Sequence, residues 1–170
     1  MSNIHKVTIA IDKYQKGLDK KCEKFVEELC KVGVQHANEE IDVLQNQYNS
    51  YSSLQYTKLS TREEHNGKKG TILNNYVLAP YIEFGTGVKG QNVSHPLANE
   101  IGWQASGRGW WYPSRIDDPN TTKREIIRDG KPTGEYVAYT QGMESRPFMH
   151  NTAMYLKEHC REIAKDIFND

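Results

Sequence analysis

The sequence predicts an α+β fold. A small antiparallel β-sheet is packed by a long N-terminal helix and a C-terminal amphipathic helix, with a long loop and hairpin excursion between them. The two helices are predicted by apolar side chains that recur at alternating spacings of four and three residues, from 18 to 32 and from 149 to 167. Because that spacing keeps the side chains on one helix face, we expect helices over residues 13–38 and 146–168.

The start of the chain favours a strand. In VTIAID, residues 7–12, large aliphatic side chains alternate with smaller or polar ones, which is the period of a half-buried strand. Asp12 then fits the N-cap of the following helix. We expect no secretion signal, because MSNIHKVTIAID lacks a long apolar stretch, and no membrane span, because no run approaches ~18 apolar residues.

The middle of the chain predicts short strands and turns. YSSLQYTKL (51–59) favours a strand, and EEHNGKKG (63–70) predicts a turn or an exposed hairpin tip. Branched and aromatic residues predict a further strand over 71–84, irregular near Pro80. REIIRDGKPTGEYVAYTQ predicts a hairpin with strands near 123–129 and 135–141 and with DGKPTG as its turn.

The segment from about 85 to 122 is an excursion that is too long for an ordinary connection between elements. Three tryptophans within it argue against plain disorder. We expect a short helix near SHPLANEIG, residues 94–102. A chain of 170 residues is predicted to form a single domain over 1–170.

Charge and composition restrict the function classes. The chain has 22 Lys+Arg and 22 Asp+Glu, whereas an independent nucleic-acid-binding protein usually carries a basic excess. Three cysteines without a C-x-x-C pair argue against a disulfide framework and predict a reducing compartment. Only 36% of the residues are hydrophobic, so we expect that long loops dilute a thin core or that neighbouring subunits supply part of the burial.

Gly85, Gly87 and Gly90 match G-x-G-x-x-G, the glycine pattern of dinucleotide-binding folds. That site needs a strand before the glycines and a helix that opens directly on them. A strand is predicted before them, but QNVSHP after them shows no helical period, and no G-K-[ST] follows for a P-loop. We interpret the glycines as positions of positive φ where the chain leaves a strand, and expect no cofactor.

Catalytic and metal-binding patterns are also missing from the sequence. No two of the six histidines stand four residues apart, and no H-E-x-x-H occurs, so we expect no metal site. Cys22 and Cys160 fall on the apolar stripes, where thiols behave as small hydrophobic groups. No G-x-S-x-G occurs. The sequence therefore predicts no catalytic residue and a protein that is not an enzyme.

The aromatic and basic part of the excursion is the remaining candidate site. Aromatic rings beside arginines can stack nucleobases, anchor a subunit interface or fill the local core, and the sequence leaves these three interpretations open. The candidate residues are Trp103, Arg108, Trp110, Trp111, Tyr112 and Arg115.

Two short segments carry a family resemblance. APYIEFGT (79–86) meets the pattern A-x-Y-x-E-[FY]-G-T, and RPFM (146–149) meets [RQ]-P-F-[ML]. With these motifs in this order and WWYPSR and a hairpin between them, the chain resembles, along its length, the tail-completion family (head-to-tail joining, minor tail proteins) of tailed bacteriophages. The motif residues are Ala79, Tyr81, Glu83, Phe84, Gly85, Thr86, Arg146, Pro147 and Phe148.

The resemblance implies a structural virion protein that forms a ring, by family resemblance a hexamer, at the tail end or at the head–tail neck. Such a ring completes the tail and joins it to the head. The implied partners are further copies of the chain, the tail tube and the head-connector proteins, with DNA passing through the ring and no membrane involved. The implied location is the virion, assembled in the cytoplasm of a bacterial host.

Two further expectations concern the excursion and the motifs. The alternative function is a nucleic-acid-binding module that uses the Trp/Arg-rich excursion. Within the motifs, we expect Glu83, on a strand, to pair with Arg146 and so to lock that strand to the C-terminal helix.

Overall fold

The structure, a computed structural model, describes residues 3–48, 61–116 and 122–169, and side chains of the first helix from residue 11 onward. It confirms the predicted α+β class. The helices are α1 (Asn3–Tyr48), α2 (Ala79–Phe84), α3 (Gly87–Asn92) and α4 (Phe148–Phe168). The strands are β1 (Thr61–His65), β2 (Gly70–Asn74), β3 (Trp110–Ser114), β4 (Thr122–Arg128), β5 (Lys131–Thr140) and β6 (Gly142–Met143). The strand expected over 51–59 lies outside the described residues.

Helix α1 is 46 residues long and includes the segment 7–12 that was predicted as a strand, so that prediction is wrong. The physical reason is visible in the spacing. Ile4, Val7 and Ile11 stand three and four residues apart and extend the helical period of the following stripe toward the N-terminus. Since a helix that is already nucleated grows by one hydrogen bond per residue, the short alternation in VTIAID does not end it.

The chain divides into two compact units. The first contains α1 up to Glu39, the β1–β2 hairpin and α4 from Asn151 onward. The second contains α1 from Glu40, helices α2 and α3, strands β3 to β6 and the first turn of α4 up to His150.

In the first unit, α1 and α4 run antiparallel. The rings of Phe25 and Phe168 meet edge to face at 5.9 Å, and His36 stacks on Tyr155 at 4.2 Å. Strands β1 and β2 pair antiparallel around a turn closed by a bond from Asn66 N to Lys69 O of 3.1 Å, which confirms the predicted hairpin tip. The buried side chains of this unit are few and, apart from Ile167, small; they include those of Cys30, Ala37, Thr61 and Thr152.

The prediction of a strand over 71–84 is correct only as far as Asn74, where β2 ends. Residues 79–84, in the second unit, form helix α2 instead. Pro80 stands in the first turn of that helix, where a missing N–H costs nothing. The helix buries Ala79, Ile82 and Glu83, whose spacing of three and one residues fits a helix face better than a strand face. The expected helix over 94–102 is also wrong, since residues 96–102 form turns.

A three-stranded antiparallel sheet has the order β3-β5-β4. The predicted hairpin is confirmed as β4–β5, but its turn is shorter than expected and consists of Asp129 and Gly130, with φ of 52° and 73°. Two residues of positive φ are typical of the tight type I′ hairpin turn. The remaining residues of DGKPTG belong to β5.

The core of the second unit is formed by Ile41, Ala79, Ile82 and Phe148. Half-buried side chains surround this core, namely Leu44, Tyr48, Tyr76, Met143 and Met149. Within the described part of the chain, no helix combines the length and the apolar character required to cross a membrane.

Candidate functional site

The segment 79–86 consists of α2 and the turn that follows it. Gly85 ends the helix with φ 74° and ψ 168°. A Cβ atom at Gly85 would lie 2.6 Å from the backbone nitrogen of Ser145, so both the backbone angle and the close approach require glycine. Thr86 then forms an antiparallel bridge with Met143.

The second motif segment, 146–149, lies directly against the first. Arg146 N donates to the carbonyl oxygen of Ile82 at 2.9 Å, and Ser145 Oγ donates to the carbonyl oxygen of Glu83 at 2.6 Å. The Glu83 carboxylate accepts from Met149 N and His150 N, each at 2.9 Å. Two segments about 60 residues apart in the sequence are therefore joined by backbone groups, the Ser145 hydroxyl and the buried Glu83 carboxylate.

Glu83 acts as a helix cap supplied from elsewhere in the chain. Its two oxygens accept hydrogen bonds from backbone N–H groups in the first turn of α4, which have no partner within the helix. A negative charge is also favoured at this end of a helix by the helix dipole. This capping contact explains why the position needs a carboxylate even though the residue is only 6% exposed.

His95 completes the junction. Its Nδ1 accepts the backbone N–H of Leu97 at 3.0 Å, so the ring proton resides on Nε2, which donates to Glu83 Oε1 at 3.1 Å. The ring is buried against Phe84 at 4.2 Å and His150 at 5.2 Å between ring centres. Sequence reasoning missed His95, because nothing in SHPLANEIG indicates a partner twelve residues earlier.

The predicted pairing of Glu83 with Arg146 is wrong, and Glu83 lies on a helix rather than on a strand. The Arg146 guanidinium lies 3.6 Å from the ring centre of Tyr48. Burial lowers the pKa of this guanidinium, and its hydrogen bond with Tyr48 opposes that shift. The carboxylate instead binds the first turn of α4, where two amide donors are already fixed by the helix.

The chemistry of this junction is structural. Both oxygens of Glu83 are hydrogen-bonded, and Glu83 and His95 are nearly inaccessible to a substrate, at 6% and 3% exposure. No group of three His, Cys, Asp or Glu residues placed to hold a metal ion occurs in the part of the chain that the structure describes. The junction fastens α2, the loop at His95 and α4 together.

The glycine pattern does not form a nucleotide site. A helix, α3, does open at Gly87, contrary to expectation, but α2 rather than a strand precedes it, and α3 ends after six residues. Gly85 and Gly87 have positive φ, as predicted, whereas Gly90 is needed for space: a Cβ there would lie 2.6 Å from the carbonyl carbon of Gly85. The glycines allow a tight passage between two short helices.

The candidate aromatic residues separate into two groups. Trp103 is half-buried, packs against Phe84 at 5.2 Å and Tyr81 at 5.9 Å, and donates from Nε1 to Gly85 O at 3.3 Å. It therefore fills the local core. The ring of Trp110 lies close to Gly87 but remains 40% exposed.

Trp111 belongs to an exposed face of the three-stranded sheet. The guanidinium of Arg124 on β4 lies 4.8 Å from the centre of the Trp111 ring on β3, and Tyr139 on the central strand lies 5.4 Å from it. Trp111 is 42% exposed. We call Trp111, Arg124 and Tyr139 the aromatic–arginine face.

A groove of about 620 Å³ lies at the other end of the sheet, between the end of β3 and strands β4 and β5. Its apolar lining includes Pro113, Ile116, Ile126 and Val137. Of the other predicted candidates, Arg108 and Arg115 are exposed and Tyr112 is half-buried. Sequence reasoning missed Arg124 and Tyr139. The signal that could have found them is the period of two in the predicted hairpin, which places both residues on the same face of neighbouring strands.

No protein-family model matches the chain, and no curated protein and no solved structure matches it.

Proposed function

We propose that this chain is a structural virion protein of a tailed bacteriophage. It forms a ring at the tail end or at the head–tail neck, completes the tail and joins it to the head. The observation that carries the proposal is the junction between the two motif segments that resemble the tail-completion family. Those segments, 79–86 and 146–149, meet through Glu83.

The junction supports a structural role because its buried side chains are engaged in contacts that hold the fold together. Glu83 caps α4, Gly85 permits the close approach of Ser145, and Phe148 is 1% exposed in the core. Each of these motif residues is thus accounted for by folding rather than by chemistry on a substrate. The protein we propose is not an enzyme and uses neither cofactor nor metal.

Exposed apolar side chains on the second unit support assembly into a ring. Trp111, Ile116 and Ile127 are 42%, 71% and 57% exposed. Aromatic residues are enriched at protein interfaces, and the buried core of an interface is more apolar than the rest of the protein surface. A ring buries such flanks between neighbouring copies, which also supplies burial that the thin core lacks. The resemblance implies six copies, with DNA passing through the centre and with tail-tube and head-connector proteins as partners.

Disruption of the coding sequence in the phage genome that carries it tests this proposal. We expect infected or induced cells to release DNA-filled heads and separate tails, visible by negative-stain electron microscopy, and expect the intact gene supplied in trans to restore joined particles. Mass spectrometry of purified normal virions should detect the chain. Normal joined virions from the disrupted phage would refute the proposal.

A second candidate is supported by the aromatic–arginine face. Exposed aromatic rings next to arginine can stack bases of single-stranded nucleic acid, and such binding weakens as salt rises. The test is fluorescence anisotropy of a labelled single-stranded DNA at low and high salt, with W111A and R124A as variants. The matched control is R62A, an exposed arginine outside this sheet. Binding that weakens as salt rises, is lost in W111A and R124A and is retained in R62A would favour this function.

A further inference from the structure

The first residues of α1 extend beyond the end of α4, which packs beside later residues of α1 in the first unit. Within the first unit, Lys21 Nζ donates to the carbonyl oxygen of Phe168 at 3.3 Å, and Phe168 is the last residue of α4. Residues 3–20 of α1 therefore continue past the end of α4 for about 27 Å. All residues from 11 to 20 are exposed. We call residues 3–20 the free segment.

The free segment carries a line of exposed apolar side chains. Ile11, Tyr14 and Leu18 are 59%, 74% and 42% exposed and stand three and four residues apart. The sequence continues the same spacing toward the N-terminus at Ile4 and Val7. Five apolar positions that alternate by three and four residues are the pattern of the a and d positions of a coiled coil.

The positions beside this line are uncharged. Charged residues occupy only the outer positions b, c and f of the same heptads, so that they lie away from the apolar line. The flanking e and g positions hold Asn3, Thr8, Ala10, Gln15 and Gly17. At Gly17, no atom outside the adjacent residues and the local helix backbone lies within 4 Å of the place where a Cβ would stand, which leaves room for another backbone.

This charge pattern indicates which kind of partner binds the apolar line. A partner of opposite charge would be selected by charged e and g positions, which the free segment does not have. Two identical helices with charged flanks of one sign would repel each other, and the uncharged flanks remove that repulsion. We propose that the free segment pairs, along its apolar line, with the free segment of a second copy of this chain. This contact does not depend on the chain being a virion protein.

Cross-linking tests this pairing in the full-length protein. Ile11 is the central position of the line, so it faces its counterpart in a parallel pair and lies in an adjacent core layer in an antiparallel pair. The variant I11C in a C22S background, which removes the exposed Cys22, is compared with D12C in the same background. Residue 12 is an outer position. Under mild oxidation, we expect a covalent dimer from the first variant at about tenfold the yield of the second.

Sedimentation equilibrium provides the second measurement. The double variant Y14E/L18E places two charges in the apolar line, so we expect its dimer dissociation constant to rise by about tenfold or more. The control K16E changes an outer position and should leave the constant unchanged. Glutamate is a good helix former, and circular dichroism confirms that the fold is retained. Equal cross-linking at residues 11 and 12, or self-association unaffected by Y14E/L18E, would overturn the proposal.

Discussion

At the scale of single residues, Glu83 connects several parts of the second unit. Its carboxylate binds Met149 N, His150 N and His95 Nε2, and its carbonyl oxygen accepts from Ser145. Hydrogen bonds to an ionised group are stronger than neutral ones, and the site is shielded from water. One side chain thus fixes where α4 begins relative to α2.

We expect the substitution Glu83→Gln to lower the free energy of unfolding by about 2 kcal/mol, because a neutral amide replaces the charged acceptor at the start of α4. Urea denaturation followed by circular dichroism measures the change. Glu144→Gln, at an exposed position of the same loop, is the matched control. If the two variants unfold at the same urea concentration, Glu83 does not cap α4 in solution.

The cysteines give a pH-dependent prediction. Burial, reinforced by the negative charge of Glu63, raises the pKa of the Cys30 thiol. Because only the thiolate reacts with iodoacetamide, a raised pKa means less thiolate at any pH below it. At a pH of about 8, close to the ordinary thiol pKa, we expect Cys30 to be alkylated much more slowly than the exposed Cys22, and its rate to rise as the pH increases.

Peptide mass spectrometry after timed alkylation measures both rates. In urea, where burial and the field of Glu63 are lost, the two cysteines should react at similar rates. Equal rates in the folded protein would show that Cys30 is accessible and that its environment differs from the one described.

At the scale of elements, the sheet hairpin depends on a two-residue turn. Asp129 and Gly130 both have positive φ, and the twist of that turn matches the twist of the strands β4 and β5. Asx and glycine residues tolerate this conformation because their steric cost there is small. The sequence DG therefore fixes the position of the turn within the longer DGKPTG segment.

Two glycine-to-alanine substitutions should have opposite effects. At both Gly130 and Gly17, no atom beyond the adjacent residues and the local helix backbone lies within 4 Å of the place where a Cβ would stand. The backbone conformation therefore determines the effect of each substitution on stability. Gly130→Ala should destabilise by about 1 kcal/mol, because alanine is strained at φ 73°. Gly17→Ala, within a helix, should stabilise by about 0.5–1 kcal/mol.

Urea denaturation at low protein concentration compares the two variants with the unsubstituted chain. The low concentration keeps any pairing of free segments from contributing to the difference. Changes of the same sign in both variants would contradict the turn assigned at Gly130 or the helix assigned at Gly17.

At the scale of the whole molecule, burial is unevenly distributed along the chain. The mean hydropathy is −0.79, and the two large hydrophobic side chains that are almost completely inaccessible, Ile82 at 0% and Phe148 at 1%, lie in the second unit. Residues 11–20 of α1 have no buried side chain at all. An isolated helical segment of this length is only marginally stable in water, because packing supplies most of the stability of helices in proteins.

Amide hydrogen exchange should therefore differ by region. In dilute protein, we expect amides of residues 11–20 to exchange fastest among the described helices and those at Ile82 and around Phe148 to exchange slowest. Mass spectrometry of peptic peptides measures this distribution. Protection of residues 11–20 that rises with protein concentration would support pairing of the free segment, whereas uniform protection of α1 at high dilution would contradict the exposed state described for it.

Hydrophobic periodicity and turn residues were sufficient to predict the fold class, the C-terminal helix, the β4–β5 hairpin and the tip of the β1–β2 hairpin, but not strand β1. The stripe from Met149 to Ile167 has the same period in the sequence as in the structure, since one helix face alone determines it. The hairpin tips at 66–69 and at Asp129–Gly130 follow from local backbone preferences. These features depend on residues close together in the chain.

The conformation of 79–84 and the partners of Glu83 depend instead on contacts between distant parts of the chain. A short apolar segment that contains Pro80 is compatible with a strand or a helix, and burial of Ala79, Ile82 and Glu83 selects the helix. The capping of α4 joins positions more than 60 residues apart, and no local pattern encodes such a distance. Local sequence patterns therefore specify the periodic elements, whereas long-range packing specifies which residues those elements bring together.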